Sequence, residues 1–414
     1  MKIIKSKLVL SLFVLVINSS YCVSAQAAIG DYNAPEILAR ANISDGYNMP
    51  PMSFLNNTSP VINNRGDVAF KIMAVEGVNN QVLWVKRAEE TAGKIVYEAP
   101  DERFLTDPSI SDAGKIAFNL YDEGVTDGLF LYDSKTLEVS QVLSPDNLPI
   151  QYYTYPQVLN NNHIFFRATD DNNDRIFFEF TGTKLNKILA EGVESLGIKA
   201  SYLFRPSVNE IGQIAFKTRI GEKGQWDESN PDSILVLTPS TDPKVPGMKV
   251  STIARDRDSD PGSKYISFGN SVSLSKHGMV AFMGLLADSK KAIVISKDNV
   301  LTNLAIEGQN GISEIEMFAP KINDQGLVLF RAKDTSGKRG LYLADGTTVK
   351  KIVGEGAEVE TDLGAGKILS NPNYPGFGGE VDMNDQGEIV FYCLIVSLDN
   401  KELGSAVYKI TPKK

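Results

Sequence analysis

Histidine is almost missing from this chain, with only His163 and His277 in 414 residues. Zinc hydrolases and imidazole-activated nucleophiles need several such ligands or a positioned base, so those chemistries have little to build on. Cysteine is equally scarce. Cys22 falls in an N-terminal stretch with the pattern of a removable leader, which leaves Cys393 alone with no pair for an internal disulfide. Cys393 sits in the apolar stretch Ile389 to Val396 with no histidine nearby in sequence, and a buried, inert thiol is expected. Positive charge is not in excess either. The formal charge is −9 and no basic stripe is interleaved with aromatics, which argues against nucleic acid as a partner. Glycine motifs that cradle a cofactor are absent, Gly354-Glu-Gly356 reading as an ordinary strand exit.

One apolar run stands at the N-terminus behind basic residues. Lys2, Lys5 and Lys7 precede the run Leu8 to Ile17, and small residues follow, ending in Val23-Ser24-Ala25 or Ala25-Gln26-Ala27. This is the three-part pattern of a secretory signal, and a run this short does not span a bilayer. Residues 1–25 are therefore expected to be a signal peptide and 28–414 a single secreted or periplasmic domain without a transmembrane anchor. Loss of the three lysines takes the formal charge from −9 to −12.

What the chain has in abundance is a repeat. Pro60 to Phe70 reads Pro-Val-Ile-Asn-Asn-Arg-Gly-Asp-Val-Ala-Phe, and the pattern returns at Pro108 to Phe118, Pro206 to Phe216 and Pro320 to Phe330. Degenerate copies run from Pro156 to Phe166, with Asn162 for glycine, from Val272 to Phe282, and from Val381 to Phe391. The closing phenylalanines are spaced by 48, 48, 50, 66, 48 and 61 residues. A period near 50 with strand-like units points to propeller blades. In each unit the proline marks the start of the innermost strand, the glycine supplies the positive φ of a tight hairpin loop, and the phenylalanine ends an apolar triplet in the second strand.

Third strands are expected in all seven units, from Gln81 to Val85 in the first to Ala406 to Ile410 in the last. Fourth strands are expected in six, from Lys94 to Glu98 through Thr348 to Val353. The seventh unit lacks its own. Glu36-Ile-Leu-Ala-Arg-Ala-Asn42 resembles Asn186 to Gly192 and Lys351 to Gly356 in pattern, so it is expected to complete the last blade. The fold class is then all-β, a seven-bladed β-propeller closed by an N-terminal strand, with no long unpaired edge.

Long connections collect on one face: Ser44 to Ser59, Ser144 to Tyr155, Glu191 to Arg205, Arg255 to Asn270 and Gly354 to Glu380. Recognition is expected there. The largest insertion between second and third strands carries Trp226, Asp227 and Glu228, and with Arg255 and Tyr265 these are the candidate ligand-binding residues. Asp256, Asp258 and Asp260 alternate as carboxylates do in a calcium loop, although Pro261 and Ser267 depart from that loop's glycine and closing glutamate. A structural calcium ion is the one cofactor this pattern admits; a solvated turn is the simpler reading. Asp170-Asp171-Asn172-Asn173-Asp174 suits a tight turn. Aromatics recur before the inner strands, as Phe54, Phe104, Tyr152, Tyr153, Tyr155, Tyr202, Phe204, Phe268, Phe318 and Phe377, and recurrence favours a core-filling role over sugar stacking.

The phrase at Ile322 to Phe330 and Met383 to Phe391 resembles the tandem propeller repeats of exported bacterial proteins, mostly of unassigned function. It is similar also to extracellular repeats ending in His-Ala-Phe, whose histidine no copy here has. The resemblance implies fold and export and carries over no catalytic residue. The sequence therefore leads to a binding scaffold, expected as a monomer, for a protein or glycan partner. The alternative is a carbohydrate-active hydrolase or lyase with acids at the channel mouth. A third reading is purely structural envelope material stiffened by calcium.

Overall fold

The computed structural model describes residues 29–414 apart from 51, 57, 74–79, 101–102, 147, 149, 226, 228–229 and 242–246. The leader, Cys22, Trp226 and Glu228 lie outside the described residues. The described chain is all-β. Its strands assort into seven antiparallel sheets in a propeller-like ring. No helix is long and apolar enough to cross a membrane among the described residues.

Each sheet is built around the repeated phrase. In the first, Val61–Ile62, Val68–Ile72, Val82–Lys86 and Lys94–Glu98 pair in chain order. The turns need a left-handed residue, and φ is +86° at Gly66, +81° at Gly114 and +82° at Gly326. Asn162 adopts +68° in the copy that lacks glycine, a conformation asparagine tolerates better than most side chains.

The apolar triplets pack the ring together because alternate residues of a strand face opposite sides. Phe70, Phe118, Phe166, Phe216, Phe282, Phe330 and Phe391 are all buried, each against the sheet before it. The residue preceding each phenylalanine packs against the sheet after it, as Ala69 does against Phe118 and Leu329 against Phe391. Burying one such ring stabilises by about 1.5–3 kcal/mol. Across the strand pair Phe70 stacks on Trp84 at 4.4 Å and Phe330 on Tyr342 at 5.7 Å between ring centroids. One of these cores joins Leu38, Val390 and Tyr392 with Phe70 and Trp84, so the last sheet packs on the first.

The N-terminal strand Glu36–Ala41 pairs with Glu402–Ile410, Ile37 opposite Tyr408 and Arg40 opposite Ala406. Cys393 lies fully buried in the strand Ile389–Ser397, and burial pushes its thiol pKa up.

Candidate functional site

A polar channel of about 600 Å³ runs between the inner strands. The segments between proline and glycine form its wall. Two circuits of hydrogen bonds knit that wall, both made by side chains at fixed places in the phrase. At the short-turn end, the N–H of Asn64 donates to Asp112 at 2.7 Å, that of Ala113 to Asn160 at 2.7 Å, and that of Asn160 to Glu210 at 3.0 Å. Beyond a gap, Lys276 N–H donates to Asp324 at 2.7 Å, Asp324 to Asp385 at 2.8 Å, and Asp385 back to Asn64 at 2.8 Å. The gap falls at Lys276, whose ammonium accepts nothing. A second circuit runs the opposite way round the ring: Ile62 N–H donates to Asp382, Val158 to Ser109, Val208 to Gln157, Leu274 to Ser207 and Ile322 to Ser273, at 2.8–3.2 Å.

The long-loop end of the channel is charged. Residues standing just before the inner strands line it, among them Ser59, Asp107, Tyr155, Arg205 and Glu380. Glu380 is bonded by Arg205 and lies 3.4 Å from the ammonium of Lys321. Burial alone would raise the Glu380 pKa, but Lys321 and Arg205 together hold it below the usual glutamate value. Asp382, two residues on, is shifted the other way, upward, chiefly by burial and further by Glu380, against the pull of Lys321. The Tyr155 ring has the guanidinium carbon of Arg205 4.6 Å from its centroid and that of Arg167 at 5.2 Å.

A third regularity anchors the long loops. The residue after the motif phenylalanine reaches the backbone leading into the next inner strand. Lys71 donates to the carbonyl of Leu105 at 3.3 Å, Asn119 to Tyr153 at 3.1 Å, Arg167 to Leu203 at 3.0 Å, Lys217 to Phe268 at 2.8 Å and Arg331 to Gly379 at 2.8 Å. These donors were in register in the sequence, one place past each phenylalanine, and that alignment was the signal that could have found them.

The residues singled out from the sequence do not come together in one site. Asp227 is exposed in the insertion, beside neighbours that lie outside the described residues. Arg255 ends the strand Met248–Arg255, exposed, its carbonyl accepting the Ser263 hydroxyl at 2.7 Å. Tyr265 belongs to the core rather than to a binding surface: it is 3% exposed, packs on Phe268 and Phe282, and donates its hydroxyl to Asn303 at 2.7 Å. Asp256 is also turned inward, accepting from the N–H of Asp232 at 2.5 Å and of Ser259 at 3.0 Å. Asp258 and Asp260 stay exposed, and Asp260 caps the N–H of Gly262. Among the described residues no group of three or more His, Cys, Asp or Glu converges as metal ligands. Asp170 accepts the N–H groups of Asn172 and Asp174 at 2.9 Å, a tight turn as read from sequence. Core filling holds for Tyr153, Phe204, Phe268 and Phe377 but not for Phe54, Phe104, Tyr152 and Tyr155, which are 37–43% exposed.

Ring, channel and charged mouth define a β-propeller with its polar groups concentrated on the axis. Residues 244–409 match the model of a family of unknown function, DUF7453. No curated protein matches the chain. Among solved structures the chain resembles an oligogalacturonate lyase of Vibrio parahaemolyticus, with 12% identity over 93% of this chain and 98% of that one, at a TM-score of 0.54. It resembles an oligogalacturonate lyase in complex with manganese at 10% identity, over 94% of this chain and 99% of that one, with a TM-score of 0.56. An acylaminoacyl peptidase of Pyrococcus horikoshii is similar at 13% identity and a TM-score of 0.54, over 86% of this chain. The chain spans about half of that peptidase, 51%. At these identities the likeness is one of fold.

Proposed function

We propose that this protein is an exported binding scaffold, a seven-bladed propeller that takes a protein or glycan partner at the long-loop mouth of its channel. The observation that carries the reading is the gathering of Tyr155, Arg205, Lys321 and Glu380 at that mouth, from four different sheets. Convergent charged and aromatic groups held on a rigid frame are what recognition requires. The blade count is supported by seven sheets with a core between each neighbouring pair, and closure by the pairing of Glu36–Ala41 with Glu402–Ile410. Export rests on the sequence pattern of the leader. N-terminal sequencing of protein recovered from the periplasm or medium tests it, with a start at Gln26 or Ala28 expected.

The test of recognition is affinity capture from envelope and medium fractions with wild type and with Arg205→Ala/Glu380→Ala. Removing both partners of the Arg205–Glu380 pair strands neither of them, and Lys321, which loses Glu380, keeps the Asp382 carboxylate nearby, so the variant should melt close to wild type. Loss of the captured partner at unchanged melting temperature supports the reading. Capture that survives the double change sinks it.

One observation favours the enzymatic alternative. Glu380 and Asp382 share the channel mouth and their environments push their pKa values apart, the arrangement a general acid and a carboxylate partner need. Pectic oligomers, the substrates named for two proteins of similar fold, are the first compounds to try. New reducing ends or unsaturated products, lost in Asp382→Asn and Glu380→Gln, would establish it.

A further inference from the structure

We infer that Asn310 is a site of spontaneous covalent modification: the backbone nitrogen of Gly311 closes on the Asn310 side chain, and water opens the resulting ring to aspartate or isoaspartate. The inference is independent of what binds at the channel mouth. Asn310 is the one asparagine of the sequence that glycine follows. The strand Val300–Ile306 ends the fifth sheet and Ile312–Ile315 enters the sixth, and residues 307–311 join them on the face of the long loops. There φ is +52° at Asn310 and +74° at Gly311, and the N–H of Ile312 donates to the carbonyl of Gln309 at 2.9 Å. This is the two-residue hairpin turn that Asn-Gly favours.

The structure leaves both reacting groups free. Asn310 and Gly311 are exposed. The turn's backbone bonds are donated by Gly308, Gln309 and Ile312 at 2.9–3.1 Å, so neither the Gly311 N–H nor the Asn310 carboxamide is hydrogen-bonded among the described residues. Nothing lies within 4 Å of the place a Cβ on Gly311 would take, so no neighbour crowds the approach to Cγ. Asn48, Asn162, Asn173, Asn299 and Asn400 share the left-handed backbone and serve as internal comparisons. Each precedes a residue whose side chain hinders the attack, namely Met49, His163, Asp174, Val300 and Lys401.

The step needs only water. Hydroxide takes the Gly311 amide proton, the nitrogen bonds to Cγ of Asn310, and Nδ2 leaves as ammonia with a proton returned by water. One water then adds to a ring carbonyl, giving aspartate where the new N–Cγ bond breaks and isoaspartate where the original peptide bond breaks. The nitrogen attacks as its anion, so the rate rises with pH. The Gln309–Ile312 bond holds the turn shut, and ring closure waits on local opening.

Isoaspartate lengthens the main chain by a methylene at the turn that sets the hairpin register. Gly308 N–H bonds to the Ile312 carbonyl at 2.9 Å, and Ile312 is 1% exposed in a core with Ile315 and Phe330. Glu307 accepts the N–H groups of Lys291 and Ile315 at 2.8 Å. A longer turn displaces these bonds and loosens the entry to the sixth sheet.

The experiment incubates the mature protein in mildly acidic and mildly alkaline buffer beside a synthetic peptide of residues 305–314. Peptide mapping with electron-transfer fragmentation follows each asparagine and tells isoaspartate from aspartate. Asn310 should convert before Asn299 or Asn400, faster at the higher pH and more slowly than in the peptide. Gly311→Ala should slow the conversion severalfold. The isoaspartate-rich fraction, separated by anion exchange, should melt below untreated protein, whereas Asn310→Asp adds the charge without the methylene and should melt close to wild type. Asn310 left intact in the protein after the peptide has converted overturns the inference, as does equal conversion at Asn299 or Asn400. An isoaspartate-rich fraction that melts with untreated protein overturns the loosening.

Discussion

Arg40 and Asp362 stand 322 positions apart and meet through two hydrogen bonds of 2.7 Å, from Nε and Nη2 to the two carboxylate oxygens. Both oxygens of Asp45, at 3.0 Å, and the carbonyl of Leu403, at 3.1 Å, take the remaining N–H groups of the guanidinium. Arg40 is 1% exposed, so the N-terminal strand is pinned to the last sheet by a buried, fully satisfied charge.

Arg40→Met should therefore strand Asp362 and cost about 3–5 kcal/mol, seen as a lower urea midpoint. Asp45 is 47% exposed, and Asp45→Asn should lower the midpoint far less than Arg40→Met. Equal midpoints for wild type and Arg40→Met would show that this clasp does not hold the strand.

The asparagines of the short turns are not equivalent. Asn384 donates to the Asn63 carbonyl at 3.0 Å and to Glu388 at 2.7 Å, and Asn63 donates to the Ser111 carbonyl and to Asp67. Asn323 keeps its acceptor bonds, but its Nδ2 is buried without a partner among the described residues, because Leu327 stands where the others have Asp67, Gln213 or Glu388. Asn384→Asp would set a carboxylate against a carboxylate and a carbonyl, and should cost about 2 kcal/mol or more. Asn323→Asp should cost clearly less in the same thermal melts; the reverse order would refute the assignment.

Glu380 and Asp382 should respond to pH in opposite senses. An acid whose pKa folding lowers contributes stability above its unfolded pKa and loses it as pH falls through the folded value. Glu380→Gln should thus reduce stability at neutral pH and flatten the acid limb. Asp382, raised by burial, contributes stability below its unfolded pKa and loses it as pH rises through the folded one. Asp382→Asn should gain stability at neutral pH and change little in strong acid. Urea midpoints from about pH 3 to about pH 8 check both, and two shifts of the same sign would contradict the scheme.

Cys393 should resist thiol reagents in the native protein and react fully once denatured, being wholly buried with its pKa raised. Rapid native labelling would place it at a surface that the packing does not allow.

The ring was legible in the sequence because one phrase, repeated in register, specifies inner strand, left-handed turn and paired second strand at once. The same register contains the wall circuits, since Asn64, Asp112, Asn160, Asp324 and Asp385 occupy one column of the repeat. The mouth was not legible. Arg205 and Glu380 lie 175 residues apart, and only curvature of the whole ring brings them together. Tyr265 and Asp256 misled for a physical reason: a tyrosine or aspartate beside a long loop reads as exposed, whereas Gly284 leaves room for the Tyr265 ring and the N–H of Asp232 draws Asp256 inward.

The pairing of Glu36–Ala41 with Glu402–Ile410 also sets a timetable. Until Glu402–Ile410 lies beside it, the strand Glu36–Ala41 lacks that neighbour, and Leu38, Ala39 and Ala41 stay uncovered. An unfinished chain cannot close its ring. Closure of the ring is thus a non-local step, joining strands that stand at opposite ends of the described residues.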